Sequence, residues 1–466
     1  MWTCATIKSS HMAREHGQVP ISRVFCEKWG SFHYDFSMAP PPTLFLMLTF
    51  EDARRTVEEH AARVTPGATE TLGLLAAAGR ILAEPITADR DIPPFPRSTR
   101  DGYAVRAADL ATLPAKLKII GEIKAGPAQL PPALNRGQAF SIMTGAPVPQ
   151  GADAVVMVEN TSQQDDSVEI TKSIAPGENI VAQAAEAKCG ALLLDRGTRL
   201  NEADIALAAS VGKSQLKVFA RPRVAVLTTG DEIVEVHTEP GPTQIRNSNL
   251  YSLAAQIQQA GGDPVLLPIA PDEPRRLRQL IEQGLQSDLL LMTGGVSMGR
   301  YDLVEQVLSD LQAEFFFTGA KIQPGKPIVF GRVNLCGSGR LARSGATAPD
   351  SPRDHKYFFG LPGNPVSTMV TFELFARPML EALAGMTPRP LIFLHARLKS
   401  EIRTKPGLTR FLPATLSGKY SDSQVELVPW QGSGDIAARS RSNCYIVVPP
   451  DRDHIPAGEW IAIVPR

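Results

Sequence analysis

The sequence predicts a multidomain α/β and β protein, with a central unit around a mainly parallel sheet, a small all-β unit before it, and a second small β unit, a barrel or sandwich, at the C-terminus. Three observations carry this. Residues 223 to about 385 alternate apolar strands with helical stretches, the order of βαβ units. Two of those strands run as unbroken apolar segments into Thr/Gly loops, over Val226–Glu232 (VLTTGDE) and Leu290–Gly299 (LLMTGGVSMG), as strands buried on both faces of a sheet do. Residues 101 to about 180 and those after Pro388 read instead as short strands between turn residues.

Composition sets the outer limits. A chain of 466 residues exceeds one hydrophobic core and calls for two to four domains. Lysine plus arginine and aspartate plus glutamate both number 48, so no global field draws nucleic acid or anionic lipid, and any anion site is built locally. No apolar run is long enough to span a bilayer and no continuous apolar segment marks a signal peptide. The five cysteines are scattered without a C-x-x-C pair, which argues against a disulfide framework or zinc site and fits a cytoplasmic protein.

Taken in order, residues 1–47 lack helical or strand period and read as a disordered extension, with Met47 a candidate start. Thr49 is placed to cap a helix carrying Ala53, Val57, Ala61 and Val64, with Glu51 and Asp52 in its first turn. A second helix is expected through Leu72, Leu75 and Ala76 to Ile81, then a stiff link at Asp91–Pro96. Short strands follow at Leu117–Ile120, Ala139–Met143, Ala154–Val158 and Val168–Thr171, and Asn201–Asp204 opens a helix ending at Gly212. Central strands are expected at Val224–Thr228, Val265–Ile269, Leu289–Met292, Glu314–Phe317, Ile328–Val333 and Tyr357–Phe359, with helices at Asn249–Ala260, Glu273–Gln286, Leu303–Leu311 and Val366–Ala384. Residues 336–356 read as a surface insertion, and five short strands between Ile392 and Val464 complete the chain. The implied domains are 48–100 with 177–222, 101–176, 223–387 and 388–466.

Chemistry concentrates in loops. Glycine lets backbone amides approach a phosphate, and hydroxyls add donors. Thr293, Gly294, Gly295 and Ser297 can thus form an anion nest before the helix at Leu303, with Asp302 at its start, though an ordinary βα turn with Asp302 as a cap reads equally well. Asp231 and Glu232 suit a Mg²⁺ bridging protein and phosphate, against a plain turn cap for Asp231. Lys326 in Pro-Gly-Lys-Pro offers a point charge to an oxyanion, against a solvated lysine. Pro362, Gly363 and Asn364 lie in a rigid Gly/Pro loop before a helix that Pro365 can start.

In order and spacing, DGYAV, MTGAPVP, TTGDE, RNSN, TGGVSMG, PGKP, GLPGNPVS and QGSG with a late NC resemble the molybdopterin molybdenumtransferases, the MoeA proteins and the gephyrin E domain, from about Leu48 to Arg466. The resemblance implies an elongated N-terminal α+β region with an inserted β domain, a three-layer molybdopterin-binding domain and a C-terminal barrel. It implies a homodimer whose cleft lies between subunits. It also implies insertion of molybdate into the dithiolene of adenylylated molybdopterin, with Mg²⁺ required and AMP released.

Carried over, Asp101 matches the DGYA carboxylate, Asp231 and Glu232 the TGDE acids, and Thr229, Gly230, Gly294, Gly295 and Ser297 the nucleotide and phosphate cradle. Asn247, Ser248 and Asn249 match the NSN element and Lys326 the PGKP lysine, while Arg410 and Ser433 reach toward molybdate. Glu186 keeps one acid of a Gly-Glu-Asp motif whose second acid is Ala187 here, and Gly319 stands where relatives often carry lysine, with Lys321 nearby. The resemblance implies the pathway's adenylyltransferase as a partner, and neither nucleic acid nor membrane. Two alternatives remain, a molybdopterin adenylyltransferase and a non-catalytic scaffold of the gephyrin kind.

Overall fold

The structure, a computed structural model, describes residues 47–126, 129–295, 303–334 and 355–465. The expected extension, apart from Met47, lies outside these residues, as does the expected insertion up to residue 354.

The central sheet has six strands, in spatial order Asp263–Leu266, Arg223–Thr228, Leu289–Thr293, His355–Leu361, Val329–Asn334 and Glu314–Phe317. The first four are mutually parallel. Val329–Asn334 alone runs antiparallel, to both its neighbours, so Glu314–Phe317 points the same way as the first four and the sheet is mainly parallel. The reason is the connection: no helix intervenes between Phe317 and Val329, and a parallel return needs a crossover.

Alternate residues of each strand feed opposite cores. Val224, Val226, Leu289 and Leu291 pack against Leu250, Leu253 and Ile257 of the Ser248–Ala260 helix. Ala225, Leu227 and Leu290 pack against Leu277, Leu280 and Ile281 of the Pro274–Gly284 helix on the other face. From Arg223–Thr228 the chain crosses on one face to the edge strand, then returns on the other face to Leu289–Thr293. The strand order therefore reverses between Arg223–Thr228 and Leu289–Thr293, and their carboxyl ends flank the crevice where open α/β sheets bind ligands.

The Phe50–Ala61 helix starts as expected, with the Thr49 side chain accepting from the Asp52 amide at 3.1 Å. It stops at Ala61, so Val64 packs from beyond its end. Ala53, Val57 and Ala61 join the core beside the sheet, and the Phe50 ring meets Phe375 and Phe411 edge-on at 6.1 and 5.0 Å. The long helix expected after Pro365 is three segments: α over Pro365–Thr371, π over Phe372–Ala376 and α over Arg377–Leu383. Pro378 accounts for the wide turn, because a helical proline gives up one hydrogen bond and crowds the carbonyl four residues back, here Leu374. That carbonyl accepts instead from Arg54 Nη1 at 2.6 Å.

The helix expected over 72–81 is cut short at both ends, with strand before it and a turn after it. Thr69–Gly73 pairs antiparallel with Gln215–Phe219, and only Leu74–Ala77 is helical. The Glu202–Ser210 helix carries the expected start, a capping box between Asn201 and Asp204. Between them, six strands form one sheet in the order Ala154–Met157, Gly102–Val105, Gln138–Ile142, Ala115–Ile123, Ser167–Ile170 and Thr161–Gln164. At the C-terminus, Thr409–Lys419, Asp422–Leu427, Leu394–Leu398, Trp460–Pro465 and Cys444–Val448 close into a five-stranded barrel, because Cys444–Val448 pairs back onto Thr409–Lys419. Ile322–Gln323 adds a short parallel strand to it. Among the described residues no helix is long and apolar enough to cross a membrane.

Candidate functional site

Three loops meet at the switch point. Thr228 and Thr293 are register partners, and the Thr229 amide donates to the Thr293 carbonyl at 3.0 Å. Gly294 has φ +87°, and a Cβ there would stand 2.3 Å from the Thr229 carbonyl oxygen. Gly295 has φ +63°, and its Cβ would stand 2.7 Å from Thr229 Oγ1. Only glycine permits this approach of two strand ends. The third loop closes on them, since a Cβ on Gly363 would lie 3.6 Å from Gly294 Cα.

Asn249 ties the loops together. Its Nδ2 donates to Thr293 Oγ1 at 3.0 Å and to the Gly363 carbonyl at 2.7 Å, while Thr293 Oγ1 donates to the Pro362 carbonyl at 3.0 Å. Asn247 caps the Ser248–Ala260 helix, its Oδ1 accepting from the Leu250 amide at 3.2 Å. Among the described residues three buried polar atoms at this junction have no partner: Thr229 Oγ1, Asn247 Nδ2 and Asn249 Oδ1, on residues 3%, 2% and 7% exposed. An orphaned buried donor or acceptor costs about 1–3 kcal/mol, so three in one place mark where a polar ligand restores hydrogen bonds.

Beyond the end of Arg223–Thr228 the site turns acidic. Asp231 and Glu232 are exposed, and the Glu232 carboxylate folds back over Gly230, which has φ +135°. Asp231 Oδ1 accepts from the Asp272 amide at 3.2 Å. Burial first, then the neighbouring Asp231 and Glu232 charges, push the Asp272 carboxyl above the usual carboxylate range. Asp272 was not singled out from the sequence. The signal available was its place in Pro271-Asp-Glu-Pro274, just past the strand beside the switch point. Among the described residues no three His, Cys, Asp or Glu side chains group as a complete metal cage. The crowded carboxylates nonetheless fit Mg²⁺, which is commonly held by one or two carboxylates with substrate phosphate and water supplying the rest.

A cationic corner adjoins the Pro365–Thr371 helix. Lys326 follows cis-Pro324 and Gly325, and a Cβ on Gly325 would stand 2.4 Å from Thr371 Cγ2, so this loop is pressed onto that helix. Arg410 of the barrel is the register partner of Gln323, is 6% exposed, and spends one bond on the Leu408 carbonyl at 3.2 Å. Neither Lys326 nor Arg410 has an ion pair among the described residues. Burial lowers the Arg410 pKa from its ordinary value. The Ser433 carbonyl accepts from the Val366 amide at 2.9 Å, which seats the Gln431–Gly434 loop against the same helix.

The remaining expected residues stand elsewhere. Asp101 accepts from the Thr144 amide and hydroxyl at 2.6 and 2.9 Å, and these two bonds hold its carboxyl below the usual range. Glu186 pairs with Arg97 at 2.8 Å. No strand pairing or hydrogen bond among the described residues joins Asp101 or Glu186 to the cradle. Ser248 and Asn364 flank the cradle, and Ser297 and Asp302 lie outside the described residues. Gly319 is buried on a short strand paired with Met47, while Lys321 is exposed.

Comparison with known proteins follows the same three parts of the chain. Residues 48–212 match the MoeA N-terminal region (domains I and II), residues 225–382 a probable molybdopterin binding domain, and residues 395–465 the MoeA C-terminal region (domain IV). The chain is 35% identical to a molybdopterin molybdenumtransferase of Nostoc sp. over 406 residues, covering 85% of this chain and 88% of the relative. It is 32% identical to that of Haemophilus influenzae, covering 90% and 98%. The crystal structure of a molybdopterin biosynthesis moeA protein from Pyrococcus horikoshii superposes with a TM-score of 0.71 at 26% identity, over 90% of this chain and all of that one. With a switch-point cradle, a cationic corner supplied partly by the barrel, and matches along most of its length, the chain belongs to the molybdopterin molybdenumtransferase (MoeA) family of enzymes.

Proposed function

We propose that this enzyme inserts molybdate into the dithiolene of adenylylated molybdopterin and releases AMP in a Mg²⁺-dependent reaction. The observation that carries the reading is the set of three orphaned buried polar atoms where the Thr229, Gly294 and Gly363 loops converge, beside free carboxylates. In this reading Thr229, Gly230, Asn247, Ser248, Asn249, Thr293, Gly294, Gly295, Ser297, Asp302, Pro362, Gly363 and Asn364 bind the nucleotide and phosphates. Asp231 and Glu232 would hold Mg²⁺. The ion, when bound, neutralises charge on the phosphoanhydride oxygens.

The protein's own task is to bring two anions together. Molybdate is a dianion and the nucleotide carries a phosphoanhydride, so their repulsion must be offset by fixed positive charge. Lys326 and Arg410 supply it, and Ser433 adds a polar contact from the barrel. An oxo group of molybdate leaves as water only after gaining two protons; in this reading the Lys326 ammonium gives one and solvent water the other. The metal-binding sulfurs belong to the substrate, so the chain needs no cysteine cluster. Burial pushes the Cys444 thiol up to about 11, which keeps it protonated and inert.

Asp101 and Glu186 complete the site from the partner of a homodimer in this reading; among the described residues neither is hydrogen-bonded to the cradle of its own chain. The domains are then 48–100 with 177–222, 101–176, 223–387 and 388–466, with the 101–176 unit reaching the partner's cradle. The test is an assay with adenylylated molybdopterin, molybdate and Mg²⁺, following AMP and the reconstitution of an apo-molybdoenzyme. AMP release and cofactor transfer that both need molybdate support the reading. Purified chain that releases no AMP under these conditions overturns it.

A further inference from the structure

Away from the cradle, a cavity of about 430 Å³ opens between the Ser248–Ala260 helix, the π turn with its following helix, and the barrel. It shares no lining residue with the cradle or the cationic corner. Its size falls in the range of small-molecule sites.

The polar groups in it are unevenly matched. Glu373 holds Arg377 through two bonds of 2.5 and 3.0 Å and accepts from Gln256 Nε2 at 2.7 Å. Glu381 lies 3.6 Å from both Arg377 and Arg389. Both acids are therefore matched by arginine charge, although Glu381 Oε1 makes no hydrogen bond among the described residues. Arg439 is not matched: it is 4% exposed, no carboxylate pairs with it among the described residues, and its one side-chain bond runs from Nη1 to Ser442 Oγ at 3.1 Å. Its Nε is buried without a partner. One face of the guanidinium is covered by the Tyr445 ring, 4.7 Å from the ring centroid. Across the same cavity Gln256, 9% exposed, leaves its Oε1 unpartnered. The walls between are largely apolar, from Val370, Leu391, Ile392 and Val464.

A buried guanidinium without a counter-charge is costly, and its free Nε edge matches the two oxygens of a carboxylate. Stacking on a ring fixes the plane in which that anion must lie. The apolar walls call for a hydrocarbon body behind the anion, and a free Gln256 oxygen calls for a donor on it. A free phosphate fits less well, because the second unpartnered group is an acceptor and the walls offer no further uncommitted cation.

We propose that this cavity is a second ligand site, distinct from the cradle, that takes a small monocarboxylate with an apolar or aromatic body, gripped by Arg439 and oriented by Gln256. The Ser248–Ala260 and Pro365–Thr371 helices each present their N-terminal end to the cradle and their flank to this cavity.

The test is calorimetric titration of the full-length protein with 4-hydroxyphenylacetate, with 4-hydroxyphenylacetamide as the neutral isostere and inorganic phosphate as the plain anion. Saturable binding of the carboxylate, at least tenfold weaker binding of the amide and phosphate, and at least tenfold loss in Arg439→Leu are expected. Ala255→Trp, which fills the cavity from an exposed helix position, should also abolish binding while thermal unfolding shows the protein folded. No saturable binding to the native protein overturns the proposal. So does binding that persists unchanged in Ala255→Trp or in a folded Arg439→Leu, or that is equal for acid and amide. These readouts are independent of turnover, so they stand apart from the proposed reaction.

Discussion

Asp101 and Asp231 are both carboxylates in Gly-containing loops, yet their surroundings assign them different work. Thr144 gives Asp101 two hydrogen bonds and holds its pKa down, so the group stays ionised as pH falls until its depressed native value is reached. Any stability from these bonds is present above the unfolded-chain pKa and is lost as pH falls through the folded one. Thr144→Val removes the hydroxyl bond, and the acidic limb of the pH–rate profile should move to higher pH; an unmoved limb would show that Asp101 ionisation does not limit turnover. Asp231 lies instead among like charges, with Asp272 titrating upward beside it. Asp231→Ala should bring Mg²⁺-dependent AMP release to background, whereas release at the native rate removes Asp231 from the reaction. Motif order made the Asp231 and Thr293 loops legible in the sequence. Asp272 is hidden because its loop is brought alongside by pairings about 40 residues apart, the bridge between Thr229 and Ala270 and the Asp272–Asp231 bond. Thr144 stands in the MTGAPVP segment, and its bond to a carboxylate 43 residues earlier has no local signature.

At the level of elements, local signals are legible in the sequence and distant pairings are not. The Thr49 cap, the Asn201–Asp204 capping box and the apolar parallel strands are all decided within a few residues. Leu72, Leu75 and Ala76 carry helical spacing, but strand Gln215–Phe219, far along the chain, captures Leu72. The π turn is equally invisible, since it depends on a carbonyl that Pro378 crowds and that accepts a hydrogen bond from Arg54. Arg54→Ala leaves that buried carbonyl bare and should lower unfolding stability by about 1–3 kcal/mol, read from urea denaturation. A loss below about 0.5 kcal/mol would mean that water replaces the guanidinium there. Gly294→Ala places a Cβ against the Thr229 carbonyl at a positive φ. It should reduce AMP release by at least about tenfold while the chain stays folded, since the strain falls on a loop tip. Native activity in this variant would show that the two loops need not touch.

For the molecule as a whole, the Asp101 loop and the cradle belong to different sheets, with no hydrogen bond between them among the described residues. If the two are completed across a dimer, mixing Asp101→Asn and Asp231→Asn chains after dissociation should restore about a quarter of native activity. Half the dimers are then mixed, each with one intact site of two. No recovery, with mixed dimers demonstrated by mass, would place both residues in the same subunit's site. The arginine of the first helix adds a constraint of another sort. Its guanidinium reaches 320 positions ahead to hold the backbone beside Pro378, and Phe50, four residues earlier, is wedged between rings of the sheet unit and the barrel. The opening helix is thus a tie-rod of the catalytic body, not a leader to it. Clipping the chain after Ala61 should disable the distant α/β unit although every recognised motif in it remains intact.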